Sequence, residues 1–171
     1  MNAAANRAVS LARKLREELP LRYVPPSDGT RPKSEMVLPH SLVKDTRGYI
    51  ERIVYQVNGC YECGWYDACA VMMRRLLETL IIEVFEHHRI TAKIKNSNGD
   101  FLHLADLISA TISQTTWNLG RNTKQALPRL KSLGDQSAHS RRFVAHREDV
   151  DMVQADFRTV AQELLFLAEL K

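Results

Sequence analysis

The sequence predicts an all-α fold, an antiparallel bundle of four main helices preceded by a further N-terminal helix. The segment 65–88 carries apolar residues at positions 65, 69, 72, 73, 76, 77, 80, 81 and 84, a wide stripe along one face of a helix. Other segments repeat this spacing, and the chain lacks the alternating runs typical of strands. The segment 65–88 is therefore predicted to be the central helix.

The remaining helices are predicted from apolar spacing and from residues that begin or end helices. They cover five segments, of which 122–133 is a shorter helix beside the four main ones: 3–19, 42–61, 101–116, 122–133 and 149–170. Pro20 ends the first, Asp100 is a suitable N-cap for the third, and Gly134 is expected at the C′ position of the fourth. The fourth segment also contains Pro128, which predicts either a kink or a later helix start.

The chain is predicted to divide at about residue 40. Residues 1–40 are predicted to form an N-terminal helix followed by a Pro-rich linker, since five prolines lie between positions 20 and 39. Residues 41–171 form the helical bundle. The short connection between the second and central helices favours antiparallel packing of the two.

Positive charge is concentrated in one part of the chain. The net charge is +4, but residues 121–147 contain seven Lys or Arg and one acidic residue, which gives this segment +6 and leaves −2 for the remainder. Such a segment favours an anionic partner such as RNA, or is a solvated basic turn. The candidates for nucleic-acid binding are Lys124, Arg129, Lys131, Arg142 and Arg147.

Three cysteines, Cys60, Cys63 and Cys69, lie within ten residues. An odd number so closely spaced argues against a disulfide framework and favours a reducing, cytoplasmic location. A structural zinc ion needs four ligands, and no second Cys pair is present to supply them. No apolar run approaches the ~20 residues of a membrane span, and the N-terminus lacks a signal-peptide core. We therefore expect no metal, no cofactor and no membrane association.

Two histidines in the basic segment are candidates for acid–base chemistry. His139 and His146 flank Arg141 and Arg142. Histidine can transfer protons near neutral pH, and a guanidinium can bind phosphate through two parallel hydrogen bonds. Such groups can cleave RNA without a metal, with the ribose 2′-OH attacking phosphorus and arginine stabilising the transition state. The catalytic candidates are therefore His146, His139 and Arg141, at a spacing that chance alone produces about once or twice in such a composition.

Two segments resemble the HEPN clan of helical bundles, and most closely its branch of undefined activity found near restriction and phage-defence genes. The first resembles the pattern C-x-x-x-G-x-Y-x-A-A-x-x-x-x-R-R-x-L-E, with small spacing differences, through Cys60, Gly64, Tyr66, Ala68, Arg74, Arg75, Leu77 and Glu78. The second resembles an R-x-x-G-N-x-x-A-x-H turn through Lys131, Gly134, Asp135, Ala138 and His139. The resemblance covers about residues 45–170.

The resemblance implies a HEPN-like bundle, a homodimer with its motif at the interface, and a role in a bacterial defence or toxin–antitoxin system, with a partner defence protein. Ribonucleases of the clan carry R-x4-6-H, which Arg141 and His146 match a few residues beyond the turn. The chain departs from the family pattern in having Lys131 and Asp135 in place of arginine and asparagine. The Pro-rich linker also takes the place of the family's N-terminal zinc ribbon.

Three functions are consistent with these patterns. One is a catalytically silent HEPN-like module that dimerises or binds nucleic acid. Another is a metal-independent endoribonuclease that uses the Arg/His pair. The last is a protein-interaction bundle with no affinity for nucleic acid, which salt-dependent RNA binding would exclude, since phosphate contacts release counterions.

Overall fold

A computed structural model describes residues 37–171, which form five α-helices and no strand. The helices are α1 (Gly48–Glu62), α2 (Tyr66–His87), α3 (Leu104–Ser113), α4 (Arg121–His139) and α5 (Arg147–Leu167). The all-α prediction is confirmed for this part of the chain. The helix predicted over 3–19 and most of the Pro-rich linker lie outside the described residues. None of the five helices is both long and apolar enough to span a membrane.

Helix α2 is the centre of the core, as its apolar stripe predicts. It packs on all four other helices, and Leu76, Leu80 and Phe85 are among its fully buried side chains. The Phe85 ring meets the buried Trp117 edge to face, with 5.0 Å between the ring centroids. Trp65, which the sequence places on the same stripe, instead precedes the helix as its N-cap and is 41% exposed.

The connection between α1 and α2 has the predicted length of three residues but lies one residue later in the chain. Helix α1 continues through Gly59 to Glu62, and Gly64 then adopts a φ of 76°, a left-handed conformation that glycine adopts without strain. The N–H group of Trp65 donates to the carbonyl of Cys60 at 2.8 Å and closes the turn. Three residues thus join the two helices.

The prediction that the helix over 122–133 ends at Gly134 is wrong. Helix α4 begins at Arg121, includes both Pro128 and Gly134, and ends at His139. A Cβ atom placed on Gly134 would lie 2.6 Å from the Cβ atom of Arg74 on α2, well inside the ~3.5 Å of ordinary carbon contact. Gly134 therefore permits the close approach of α2 and α4 instead of ending a helix. The residues that the family pattern assigns to a turn are all helical: Lys131, Gly134, Asp135, Ala138 and His139.

Helix α3 begins three residues later than predicted, at Leu104. The preceding segment forms a turn in which Lys95 and Phe101 make an isolated antiparallel bridge. The Asn96 side chain accepts the N–H group of Asp100 at 3.0 Å within this turn. Because Asp100 belongs to the turn, the N-cap position falls to His103, and Phe101 remains 39% exposed.

The first described residues are fastened to the bundle by Asn58 of α1. Its buried side chain accepts the N–H groups of Val37 and Leu38, at 3.1 Å each, and donates to the Leu38 carbonyl at 2.8 Å. Arg158 of α5 donates to the Val37 carbonyl at 2.9 Å. Since a buried amide side chain is costly unless it is hydrogen-bonded, this segment is an integral part of the core.

Candidate functional site

Five of the eight predicted site residues lie on the connection between α4 and α5. His139 is the last residue of α4, and Arg141 and Arg142 follow it. His146 is the N-cap of α5 and Arg147 its first residue. All five are exposed. Residues 139–147, here called the basic connection, therefore carry every catalytic candidate and two of the binding candidates.

The backbone of the basic connection is held at three points. The Ser140 hydroxyl accepts two N–H groups within the connection, at 3.4 and 3.1 Å. Asp67, in the first turn of α2, accepts the N–H group of the buried Ala145 at 3.0 Å. Asp149 accepts the N–H group of His146 at 2.8 Å and so caps α5. The connection is thus anchored to two helices while its charged side chains face solvent.

Arg141 and Arg142 carry the available positive charge of this site. Neither makes an ion pair within 4.0 Å of a carboxylate in residues 37–171, and both are exposed. A guanidinium in this condition can form two parallel hydrogen bonds to a phosphate without first breaking an internal salt bridge. The pair can therefore bind a phosphate chain.

Arg147 is partly neutralised by residues of α1 and α5. Its Nε atom donates to the Tyr61 hydroxyl at 3.1 Å and lies 3.4 Å from the Asp151 carboxylate. The Tyr61 hydroxyl in turn donates to Asp151. Burial, together with that hydrogen bond to Asp151, raises the pKa of Tyr61 above its ordinary value, so the phenol stays neutral. Arg147 therefore adds less net charge to the basic connection than its two neighbours do.

Lys131 belongs to a separate, charge-balanced cluster between α2 and α4. It pairs with Asp135, which also accepts from Arg74 Nε at 2.8 Å. Arg74 lies 3.5 Å from Glu78 on its own helix, as the sequence spacing predicts. Burial raises the pKa of Asp135, but the hydrogen bonds from Lys131 and Arg74 outweigh burial and leave the pKa below its ordinary value. The charges of two cations and two anions neutralise one another in this cluster. Lys131 therefore contributes to an ion-pair network of the fold.

The last two predicted binding residues also lie apart from the basic connection. Arg129 Nη2 pairs with Asp156 of α5 at 2.9 Å. Lys124 lies fifteen residues before His139 on α4, which corresponds to ~22 Å along the helix axis. The nearby helix N-terminus is occupied, because Glu163 of α5 accepts the Gly120 N–H group at 2.6 Å. The structure therefore does not bring Lys124 and Arg129 to the same site.

The cysteines form a separate group near the α1–α2 connection. Cys60 and Cys63 are partly exposed, while Cys69 is buried and its thiol donates to the Val57 carbonyl at 3.4 Å. Burial raises the pKa of Cys69 to about 12 and also raises those of Cys60 and Cys63. Because thiolates are the reactive form, these thiols are poor nucleophiles. Residues 37–171 contain no group of three or more His, Cys, Asp or Glu side chains arranged to hold a metal ion.

Sequence reasoning missed one residue that anchors the site and misplaced another that lies close to it in the chain. Asp67 anchors the basic connection through Ala145, a contact across 78 residues that no spacing rule reveals. Trp65, two residues earlier, was assigned to the core, but it leaves the helical stripe because α2 begins after it. Trp65 follows Gly64 directly, and a glycine commonly marks the end of a helix. This position indicates that Trp65 precedes the next helix.

A surface concavity elsewhere contains none of the predicted site residues. It is lined by Ile112, Trp117, Asn118 and the residues between them, which connect α3 to α4.

No protein-family model, curated protein or solved structure matches the chain. The resemblance to HEPN bundles therefore stays a prediction from the residue patterns alone.

Proposed function

We propose that this chain is a catalytically silent helical module that binds nucleic acid through the basic connection. The observation that carries the proposal is the exposure of Arg141 and Arg142 on an anchored backbone without a carboxylate partner among the described residues. Guanidinium groups bind carboxylates and phosphates through paired hydrogen bonds, and a nucleic acid presents phosphates at regular spacing along its whole length. Lys131, Arg129 and Arg147 are paired with carboxylates of the fold, so the proposed interface is centred on Arg141 and Arg142.

The wider setting of the proposal comes from the family resemblance. It assigns the chain a HEPN-like antiparallel bundle, a homodimeric state and a place in a cytoplasmic defence or toxin–antitoxin system. The pairing of Arg74 with Asp135 and of Asp67 with Ala145 supports an antiparallel arrangement of α2 and α4, because the earlier residue on α2 meets the later residue beyond α4. A partner defence protein would supply the activity that this module lacks.

A metal-independent endoribonuclease is the second candidate. It is favoured by the placement of His139, Arg141 and His146 on one nine-residue stretch. However, metal-free cleavage depends on preorganised groups, whereas all three side chains are exposed and no hydrogen bond within residues 37–171 joins one of them to another. Incubation with RNA in EDTA distinguishes the candidates: cleavage that is lost in His139→Ala or His146→Ala, and kept in the exposed control His103→Ala, would replace silent binding with catalysis.

Nucleic-acid binding is tested by its dependence on salt. The affinity for a fluorescently labelled single-stranded oligonucleotide is measured at salt concentrations between about 50 and 200 mM. The native chain is compared with Arg141→Gln/Arg142→Gln. Each lost phosphate contact removes about 0.7 from the slope of log affinity against log salt for a single strand. We expect the double variant to bind more weakly at every salt concentration, with a slope smaller by about 1.4.

The matched control removes the same charge from the other end of α4. Arg121→Gln/Lys124→Gln lowers the net charge by two, as the test variant does, but changes residues at the start of that helix. We expect its slope and affinity to stay close to native values. Equal losses in both variants would show binding by net charge alone, and no binding at any salt concentration would leave the protein-interaction alternative.

A further inference from the structure

We propose that Trp65 is a stacking platform for an unpaired base, so that the basic connection binds single-stranded nucleic acid in preference to duplex. This inference rests on the proposed function and adds the class of nucleic acid. Its starting point is the exposure of a large aromatic side chain on a structured backbone. Trp65 is 41% exposed, whereas Trp117, the other tryptophan, is 8% exposed and packs against Phe85.

The backbone of Trp65 is fixed although its side chain faces solvent. Its N–H group donates to Cys60 and its carbonyl accepts from Cys69, both at 2.8 Å. These bonds tie it to the end of α1 and to the first turn of α2. The backbone of Trp65 is therefore ordered before any ligand binds, so stacking of a base on the indole does not require the surrounding chain to become ordered.

Trp65 is close to the basic connection. It lies two residues before Asp67, whose carboxylate holds the N–H group of Ala145 at 3.0 Å, and two residues of chain span at most about 7 Å. The exposed Val144 adjoins the same contact and is 61% exposed. An aromatic surface and two available guanidinium groups, those of Arg141 and Arg142, are therefore supplied by segments that are hydrogen-bonded to each other.

This combination selects single strands for a chemical reason. Guanidinium groups bind the phosphates of any nucleic acid, but the flat face of an indole can only stack on a base whose own face is open. A duplex covers those faces inside the helix, except at its ends. Arginine pairs beside an exposed aromatic ring are the usual composition of a single-strand surface, and they tolerate many sequences because every base has a π face.

The test uses tryptophan fluorescence and affinity together. In a Trp117→Phe variant, Trp65 is the sole tryptophan, and titration with oligo-U, oligo-dT and a blunt duplex under selective tryptophan excitation reports stacking directly. We expect quenching by both single strands and little by the duplex. A preference for oligo-U over oligo-dT would assign a contact to the 2′-OH, whereas equal quenching would assign recognition to bases and phosphates; either result supports the inference. Quenching by the duplex equal to that by single strands would overturn it.

Affinity measurements separate stacking from charge. Trp65→Ala should weaken single-strand binding about 5- to 150-fold, which is the usual effect of one base–aromatic contact. Its salt slope should stay native because no charge is lost, and Trp65→Phe should restore most of the affinity. The fluorescence experiment requires no change at residue 65, so it decides the question even if the alanine variant folds poorly.

The two proposals fail in different ways. If no chain, native or variant, shows salt-dependent binding, the proposed function fails and a protein partner is indicated. If native binding is salt-dependent but Trp65→Ala matches the native affinity, the stacking inference alone is refuted.

Discussion

Gly134→Ala is predicted to destabilise the fold, although alanine is normally the better helix former. In an open helical position this substitution stabilises by about 0.5–1 kcal/mol. At Gly134 the new Cβ would lie 2.6 Å from Cβ and 3.1 Å from Cγ and Cδ of Arg74. Reaching ordinary contact requires α2 and α4 to separate by about 1 Å. Overpacking of this kind costs about 1–3 kcal/mol, so after the gain in helix propensity is subtracted we expect a net loss of up to about 2.5 kcal/mol.

Gly59→Ala is the matched control, because it makes the same change inside α1 with no atom within 4 Å of the new Cβ. It should raise stability by about 0.5–1 kcal/mol. Urea unfolding followed by far-ultraviolet circular dichroism measures both variants. Since the closest contact is to Arg74 Cβ, the loss should persist in an Arg74→Ala background. Midpoints that move in the same direction for both glycine variants would refute the packing role of Gly134.

Two further predictions concern the charged residues between helices. The folded pKa of Asp135 lies below its ordinary value of 3.8, so its contribution to stability is present above that value and is lost as the pH falls through the lower folded pKa. Asp135→Asn should therefore flatten the dependence of the urea midpoint on pH below about 4; an unchanged acid profile would contradict this. Glu163→Ala removes the acceptor for Gly120 and Thr123 at the start of α4 and should cost about 1 kcal/mol. The exposed neighbour Gln162→Ala should change stability by less than about 0.5 kcal/mol, and equal effects would deny Glu163 its capping role.

The sequence predicts the helices well where burial decides their extent. Helix α2 differs from its predicted range by one residue at each end, and the predicted and observed bounds of α5 differ by two or three. Both helices have long apolar stripes, which are the most reliable signal in a single sequence. The all-α architecture follows from these stripes.

The errors arise where contacts between distant residues override local rules. Gly134 has the residue type of a helix end, yet its role depends on Arg74, sixty positions away. The pairing of Lys131 with Asp135 could be read from their i,i+4 spacing, but the pairing of Arg129 with Asp156 could not. Counting cations along the chain therefore overestimates the charge available to a partner; on the basic connection, Arg141 and Arg142 are the two arginines without a carboxylate partner among residues 37–171.

The hydrogen bonds of Asn58 define where the chain can be shortened. Both polar groups of the buried Asn58 amide are hydrogen-bonded to the backbone of Val37 and Leu38. These two residues therefore satisfy a polar side chain inside the core. A chain that starts at residue 37 keeps these hydrogen bonds. One that starts at residue 41 loses these three hydrogen bonds together with the fully buried side chains of Val37 and Leu38, so removing only four more residues should lower stability measurably.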